Sequence, residues 1–126
     1  MTAVLSCLQK ILALMVAIVN MLGLTNDTVT VDLYSNPSSG YVWEYEMDRA
    51  GVMTLVETHY YSDPFSMLTS GGGGTRSFTF RAVGSGTVRI TFRYVKITGL
   101  EKVSASQYIY TYNVGTDGTI SLYSIQ

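Results

Sequence analysis

The residue types that most often perform catalysis are scarce in this chain. Its 126 residues include one histidine, His59, and one cysteine, Cys7. A Cys–His pair could supply a thiol nucleophile and its general base, but Cys7 lies in an N-terminal segment that we expect to be removed. His59 lies in a strand-like segment without a nucleophile or carboxylate at a recognisable spacing, and no residues have the spacing of a zinc or calcium site. The sequence therefore predicts a protein that is not an enzyme and holds no metal or other cofactor.

A short loop has residue types suited to binding. It reads Asn-Pro-Ser-Ser-Gly over residues 36–40 and is followed by two aromatic residues, Tyr41 and Trp43. Proline fixes its own φ and restricts the residue before it, while glycine allows a tight exit from the turn. This is more specification than a chain reversal requires, so the loop formed by Asn36, Pro37, Ser38, Ser39 and Gly40 is either a turn that reverses the chain or a preset binding loop.

Two further connections are longer than a hairpin requires. Residues 62–75 contain four consecutive glycines, Gly71, Gly72, Gly73 and Gly74, and residues 96–106 read KITGLEKVSAS. The glycine run is not a phosphate-binding loop, because no Gly-Lys-Ser/Thr follows it. It is either a flexible loop tip or a place where a partner's backbone approaches closely. The entropic cost of four glycines favours the second interpretation.

The segments around these loops alternate apolar and polar residues at period two, as half-buried β-strands do. Turn residues separate the runs, and we expect residues 84–86 and 116–118 to close hairpins. No helix is predicted after residue 24, so six or seven short strands indicate an all-β antiparallel sandwich. We expect its tyrosines to serve mainly in core and strand packing and Trp43 to be a core anchor; the tyrosines are Tyr34, Tyr41, Tyr45, Tyr60, Tyr61, Tyr108, Tyr110 and Tyr112.

The N-terminal segment differs from the rest of the chain. Residues 11–24 are almost wholly apolar, which is short for a bilayer-spanning helix but typical of the apolar part of a secretory signal. A buried core helix is the second interpretation. We predict a signal peptide or anchor over residues 1–25 and one domain over residues 26–126, secreted or periplasmic and associated with a membrane only if the segment is retained. The net charge of −1 gives no electrostatic basis for nucleic-acid binding.

The loops resemble those of the chagasin-type inhibitors of papain-like cysteine proteases. That family has an Asn-Pro-Thr-Thr-Gly-aromatic loop followed by Trp, then a glycine-rich loop followed by Phe, then an Arg-Pro-Trp loop. Residues 36–41 with Trp43 match the first element with Ser for Thr, and the four glycines followed by Phe78 and Phe80 match the second. The third departs, because Tyr94, Val95 and Lys96 stand where Arg-Pro-Trp is expected.

The resemblance implies an immunoglobulin-like sandwich whose loops enter a protease active-site cleft together. It implies a tight, reversible and stoichiometric inhibitor that acts as a monomer, with Ser39 nearer the catalytic groups than Ser38. Tyr94 and Lys96 are the candidates for the third contact. The alternative is an immunoglobulin-like adhesion or cell-envelope module that uses the same loops on another partner, and the missing third motif is its main support.

Overall fold

The computed structural model describes residues 27–64 and 72–126. Within those ranges seven strands form two antiparallel sheets, and the one helical element is a short 3-10 turn, η1, over Pro37–Ser39. The strands are β1 Thr28–Ser35, β2 Val42–Met47, β3 Met53–Ser62, β4 Gly74–Ala82, β5 Gly86–Thr98, β6 Glu101–Val114 and β7 Ile120–Ile125. In the described part of the chain, no helix has the length and apolar character needed to cross a membrane. The predicted signal segment, residues 1–25, lies outside the described residues.

One sheet has the order β1-β4-β3 and the other has the order β2-β5-β6-β7. Their facing sides carry the alternating apolar residues of the sequence, and Phe80, Val88, Ile90 and Phe92 are fully buried between them. The ring of Tyr45 packs edge-on against Phe80, which joins the two sheets. Burial raises the pKa of Tyr112, which completes the core, to about 12. The all-β sandwich predicted from the period-two pattern is confirmed.

Two of the expected connections are different in the structure. Residues 84–86 do not close a hairpin, because β4 and β5 belong to different sheets and the chain crosses between them there. Residues 96–106 are not a long loop: β5 continues to Thr98, β6 begins at Glu101, and the two strands pair up to a two-residue turn at Gly99 and Leu100. Residues 116–118 lie between the paired strands β6 and β7, as expected.

Strand pairing determines which connections share an end of the sandwich. Ser35, the last residue of β1, pairs with Gly74, the first residue of β4, which also pairs with Ser62 at the end of β3. Val42, the first residue of β2, pairs with Val95 near the end of β5. Residues 36–41, residues 99–100 and the described ends of the connection between β3 and β4, residues 63–64 and 72–73, therefore lie at one end of the sandwich, here named the loop end. Residues 48–52, 83–85 and 115–119 lie at the opposite end.

Candidate functional site

The first loop, residues 36–40, is held in one conformation by Asn36. The side-chain Oδ1 of Asn36 accepts hydrogen bonds from the backbone N–H of Ser38 at 3.2 Å and from its hydroxyl at 2.6 Å. The backbone oxygen of Asn36 accepts from the Ser39 N–H at 3.0 Å and from the Ser39 hydroxyl at 2.6 Å. Gly40 ends the turn at a φ of 81°, a left-handed conformation that favours glycine. The predicted preset character of the loop has its physical basis in these bonds.

Tyr94 supports the first loop from below. Its hydroxyl accepts a hydrogen bond from the Asn36 N–H at 2.8 Å and lies 3.4 Å from the Asn36 backbone oxygen, to which it can donate. Its ring stacks on Tyr41, with the centroids 5.2 Å apart, and packs at a tilt against Trp43, with the centroids 4.8 Å apart. Tyr94 is half-buried, and its visible role is therefore to hold the loop in place. Whether it also contacts a protease stays a prediction.

Lys96 follows on the same strand and reaches the rim of the first loop. A Cβ added to Gly40 would lie 3.2 Å from the Lys96 Cε, so the aliphatic stem of the lysine packs across that glycine. Its ammonium nitrogen lies 5.6 Å from the centroid of the Tyr41 ring, within the range of a cation–π contact. Lys96 thus brings a positive charge beside the first loop.

The glycine loop, residues 63–73, joins β3 to β4, and its residues 65–71 are outside the described part of the chain. Predicted Gly71 falls among them. The base of the loop is closed by a hydrogen bond from the Asp63 N–H to the Gly73 oxygen at 3.1 Å. Gly74 packs against the Tyr61 backbone oxygen so closely that a Cβ could not be accommodated without a backbone shift. Of the four predicted glycines, Gly74 is therefore required by the fold itself.

The third connection is the hairpin tip, residues 96–103. Because β2 begins opposite Val95, the following residues of β5 pair only with β6, and the tip projects roughly 10 Å past β2 at about 3.3 Å per residue. Gly99 makes the turn with a φ of 64°. Leu100 is fully exposed, and Ile97 and Val103 are exposed beside it. Sequence reasoning missed these apolar residues, although three of them in a polar stretch were a usable signal.

Two contacts link these connections to their neighbours at the loop end. Lys96 joins the hairpin tip to the first loop, and the Tyr34 ring, at the end of β1, lies against Gly73 of the glycine loop. We expected Tyr34 and Tyr61 to serve in core and strand packing. Neither lies in the core, because both side chains are exposed on the outer face of their sheet. His59 lies on the same sheet, where its ring contacts Tyr61 at 4.4 Å between centroids. In residues 27–64 and 72–126 no group of three His, Cys, Asp or Glu side chains could hold a metal ion.

Comparison with known proteins bears directly on this arrangement. Residues 24–114 match the chagasin family peptidase inhibitor I42. The chain belongs to the chagasin family of peptidase inhibitors. Comparison with curated proteins found no match.

Among solved structures, this chagasin-family inhibitor is similar to the cysteine protease inhibitor EhICP2 from Entamoeba histolytica. The two share 21% sequence identity with a TM-score of 0.58, over 67% of this chain and 75% of the other. That likeness supports the sandwich fold. Family membership confirms the predicted resemblance and the prediction of an inhibitor instead of an enzyme.

Proposed function

We propose that this chagasin-family inhibitor blocks papain-like cysteine proteases by placing the first loop, the glycine loop and the hairpin tip in the active-site cleft. The observation that carries the proposal is the convergence of these three connections at one end of a rigid sandwich, with the first loop fixed by the bonds of Asn36 and Tyr94. A loop that is already ordered loses little conformational freedom on binding, so more of the contact energy appears as affinity.

The shape of the first loop explains why it would block a protease without being cleaved. Extended peptides are recognised by main-chain pairing along their length, whereas η1 folds residues 37–39 into a 3-10 turn. The peptide bonds of this turn point their N–H groups inward: those of Ser39 and Gly40 bond to the oxygens of Asn36 and Pro37. A scissile bond in this turn would have to unfold before it could align with a catalytic cysteine.

The serine hydroxyls have a defined role in this proposal. Both donate their hydrogens within the loop, to Asn36 Oδ1 and to the Asn36 backbone oxygen. The Ser39 hydroxyl oxygen also accepts a bond from the Tyr41 N–H at 3.2 Å, and a hydroxyl oxygen has two lone pairs with which it can accept hydrogen bonds. Ser38 is exposed and Ser39 half-buried, so Ser38 is the more accessible acceptor.

The hairpin tip supplies what the absent Arg-Pro-Trp motif would otherwise provide. Exposed apolar side chains that project from a surface gain free energy when a partner buries them, about 25 cal/mol for each Å² of apolar area. Leu100 at the apex is suited to enter a hydrophobic depression beside the cleft, and Lys96 adds a cation at the boundary with the first loop.

We further propose an extracytoplasmic protein that acts as a monomer. The support for export is the apolar sequence of residues 11–24. The support for a monomer is the placement of all three connections at one end, where a single sandwich presents the whole contact surface.

Titration of papain with the full-length chain tests the proposal. We expect activity on a small fluorogenic substrate to fall to zero near one inhibitor per active site and to return on dilution, because no covalent bond forms. Papain whose active-site cysteine carries a small alkyl block should bind more weakly, since the first loop would occupy the same space. Trypsin serves as the control and should not be inhibited. Full papain activity at a micromolar excess of the chain would contradict the proposal.

A further inference from the structure

Tyr34 is a large side chain in a position that the core does not need. It is the last residue but one of β1, lies on the outer face of its sheet and is 67% exposed. Its neighbours in the same row across the sheet are Thr75 on β4 and then Tyr61 on β3. An aromatic ring exposed in this way contributes little to the burial that stabilises the fold.

Tyr34 makes one contact beside each of two loops. It contacts Trp43, which follows the first loop, and Gly73 of the glycine loop. Its backbone oxygen accepts a hydrogen bond from the Trp43 Nε1–H at 2.7 Å, across the first loop. Its ring lies against Gly73: a Cβ added there would be 2.6 Å from the Tyr34 hydroxyl oxygen and 2.7 Å from Cε2. The Asp63–Gly73 hydrogen bond joins the two ends of the glycine loop, and Asp63 directly follows the last residue of β3.

We propose that Tyr34 is a positioning residue that fixes the base of the glycine loop relative to the first loop. The proposal rests on the proposed function in so far as both loops must meet the protease together. Gly73 then has a specific purpose: it leaves room for the hydroxyl end of the Tyr34 ring against the backbone of the loop, and a side chain at residue 73 would displace that ring. The loop base is held between β3 and this ring, so residues 72 and 73 are presented at a fixed distance from residues 36–40.

The experiment is a double-mutant cycle in papain inhibition, with Tyr34→Ala, Gly73→Ala and the combined variant. We expect Tyr34→Ala to weaken inhibition about tenfold with the thermal midpoint nearly unchanged, because the ring is mostly exposed. Gly73→Ala should weaken it by about tenfold when Tyr34 is present and by less than about threefold when residue 34 is alanine, because the added methyl then displaces nothing. Tyr123→Ala is the matched control, a tyrosine 73% exposed on β7 away from the loop end, and should leave inhibition unchanged.

A second measurement separates this inference from the proposed function. Hydrogen exchange of the Asp63 amide reports closure of the loop base whether or not any protease is inhibited. We expect Tyr34→Ala to accelerate that exchange and Tyr123→Ala to leave it unchanged. The proposed role of Tyr34 would be overturned if Gly73→Ala weakened inhibition equally with tyrosine and with alanine at residue 34. It would also be overturned if Tyr34→Ala left hydrogen exchange of the Asp63 amide unchanged. A parent chain that does not inhibit papain would overturn the proposed function alone.

Discussion

The first loop and the hairpin tip reach the same end of the molecule by opposite physical means. Polar bonds and stacked rings fix the first loop, where Asn36 engages its N–H, its backbone oxygen and its Oδ1. The hairpin tip is held by its strand ladder and presents Leu100 to solvent. Two kinds of surface therefore lie side by side, one polar and fixed in shape and one apolar and exposed. Under the proposed function, the shape of the first loop would exclude substrate, and the apolar area of the tip would add affinity without being shaped for one protease.

The largest loss of inhibition is expected from a substitution that deforms the first loop. Ser39→Trp removes the hydroxyl that bonds to Asn36 and Tyr41 and adds bulk where the loop would enter the cleft. We expect papain inhibition to fall by about 100-fold, as for a central contact worth more than about 2 kcal/mol. Ser85→Trp, in an exposed connection at the opposite end, is the control. Similar losses for both variants would show that the loop end is not the contact surface.

Tyr94→Phe tests whether the hydrogen bond between the Asn36 N–H and the Tyr94 hydroxyl keeps the first loop rigid. It keeps the stacked ring but leaves the Asn36 N–H without its acceptor, at a cost of about 1 kcal/mol in the free energy of unfolding. We expect about tenfold weaker inhibition, measured together with chemical denaturation. Tyr123→Phe is the control. Weaker inhibition without any loss of stability would instead identify Tyr94 as a direct contact.

Leu100→Ala tests how much the hairpin tip contributes to inhibition. Because the leucine is fully exposed in the free protein, we expect no change in thermal midpoint and about fivefold weaker inhibition, corresponding to about 1 kcal/mol of lost apolar burial in the complex. Leu122→Ala, half-exposed on β7, should change neither. Unaltered inhibition by Leu100→Ala would leave the first loop and the glycine loop as the contact surface.

Lys96→Met should cause the smallest loss of inhibition of these four substitutions. Lys96 lies where the first loop meets the hairpin tip. Methionine retains the apolar stem over Gly40 and removes the charge near Tyr41. An exposed cation–π contact is worth about 0.5 kcal/mol at the lower end of its range, so we expect about a two- to threefold loss of inhibition. Arg93→Met, which breaks an exposed ion pair to Glu46 at 3.0 Å on β5 outside the hairpin tip, is the control and should not alter inhibition. A loss larger than that of Leu100→Ala would indicate a charge contact with the protease.

The sandwich itself could be predicted from the sequence because inward and outward residues alternate, and that pattern depends only on the local pleat. Which strands share a sheet could not, because β4 and β5 alternate in the same way whether the glycines between them close a hairpin or cross to the other sheet. The hairpin tip was mistaken for a loop for a related reason. It projects past β2, so both of its faces meet solvent and its residues lack the alternation that marks a half-buried strand.

The site was predictable where one loop carries its own constraints and less so where distant residues meet. Asn36, Pro37 and Gly40 specify their turn within five residues, and the structure has that turn. The support from Tyr94 depends on a partner 58 residues away. Tyr94 also adjoins a β-bulge, where the pairing register of β5 and β6 shifts because Ala105 of β6 has no partner on β5. No local pattern in the sequence indicates that shift.

The sheets from which the three connections arise have a consequence for the core. The glycine loop belongs to one sheet, the hairpin tip to the other, and the first loop crosses from one to the other. The spacing of the sheets, which Phe80 and Phe92 maintain from the interior, is therefore also the width of the loop end, which under the proposed function would meet the protease. A smaller or larger side chain at either phenylalanine would change how wide a cleft the protein fits, even though neither residue could ever touch its target.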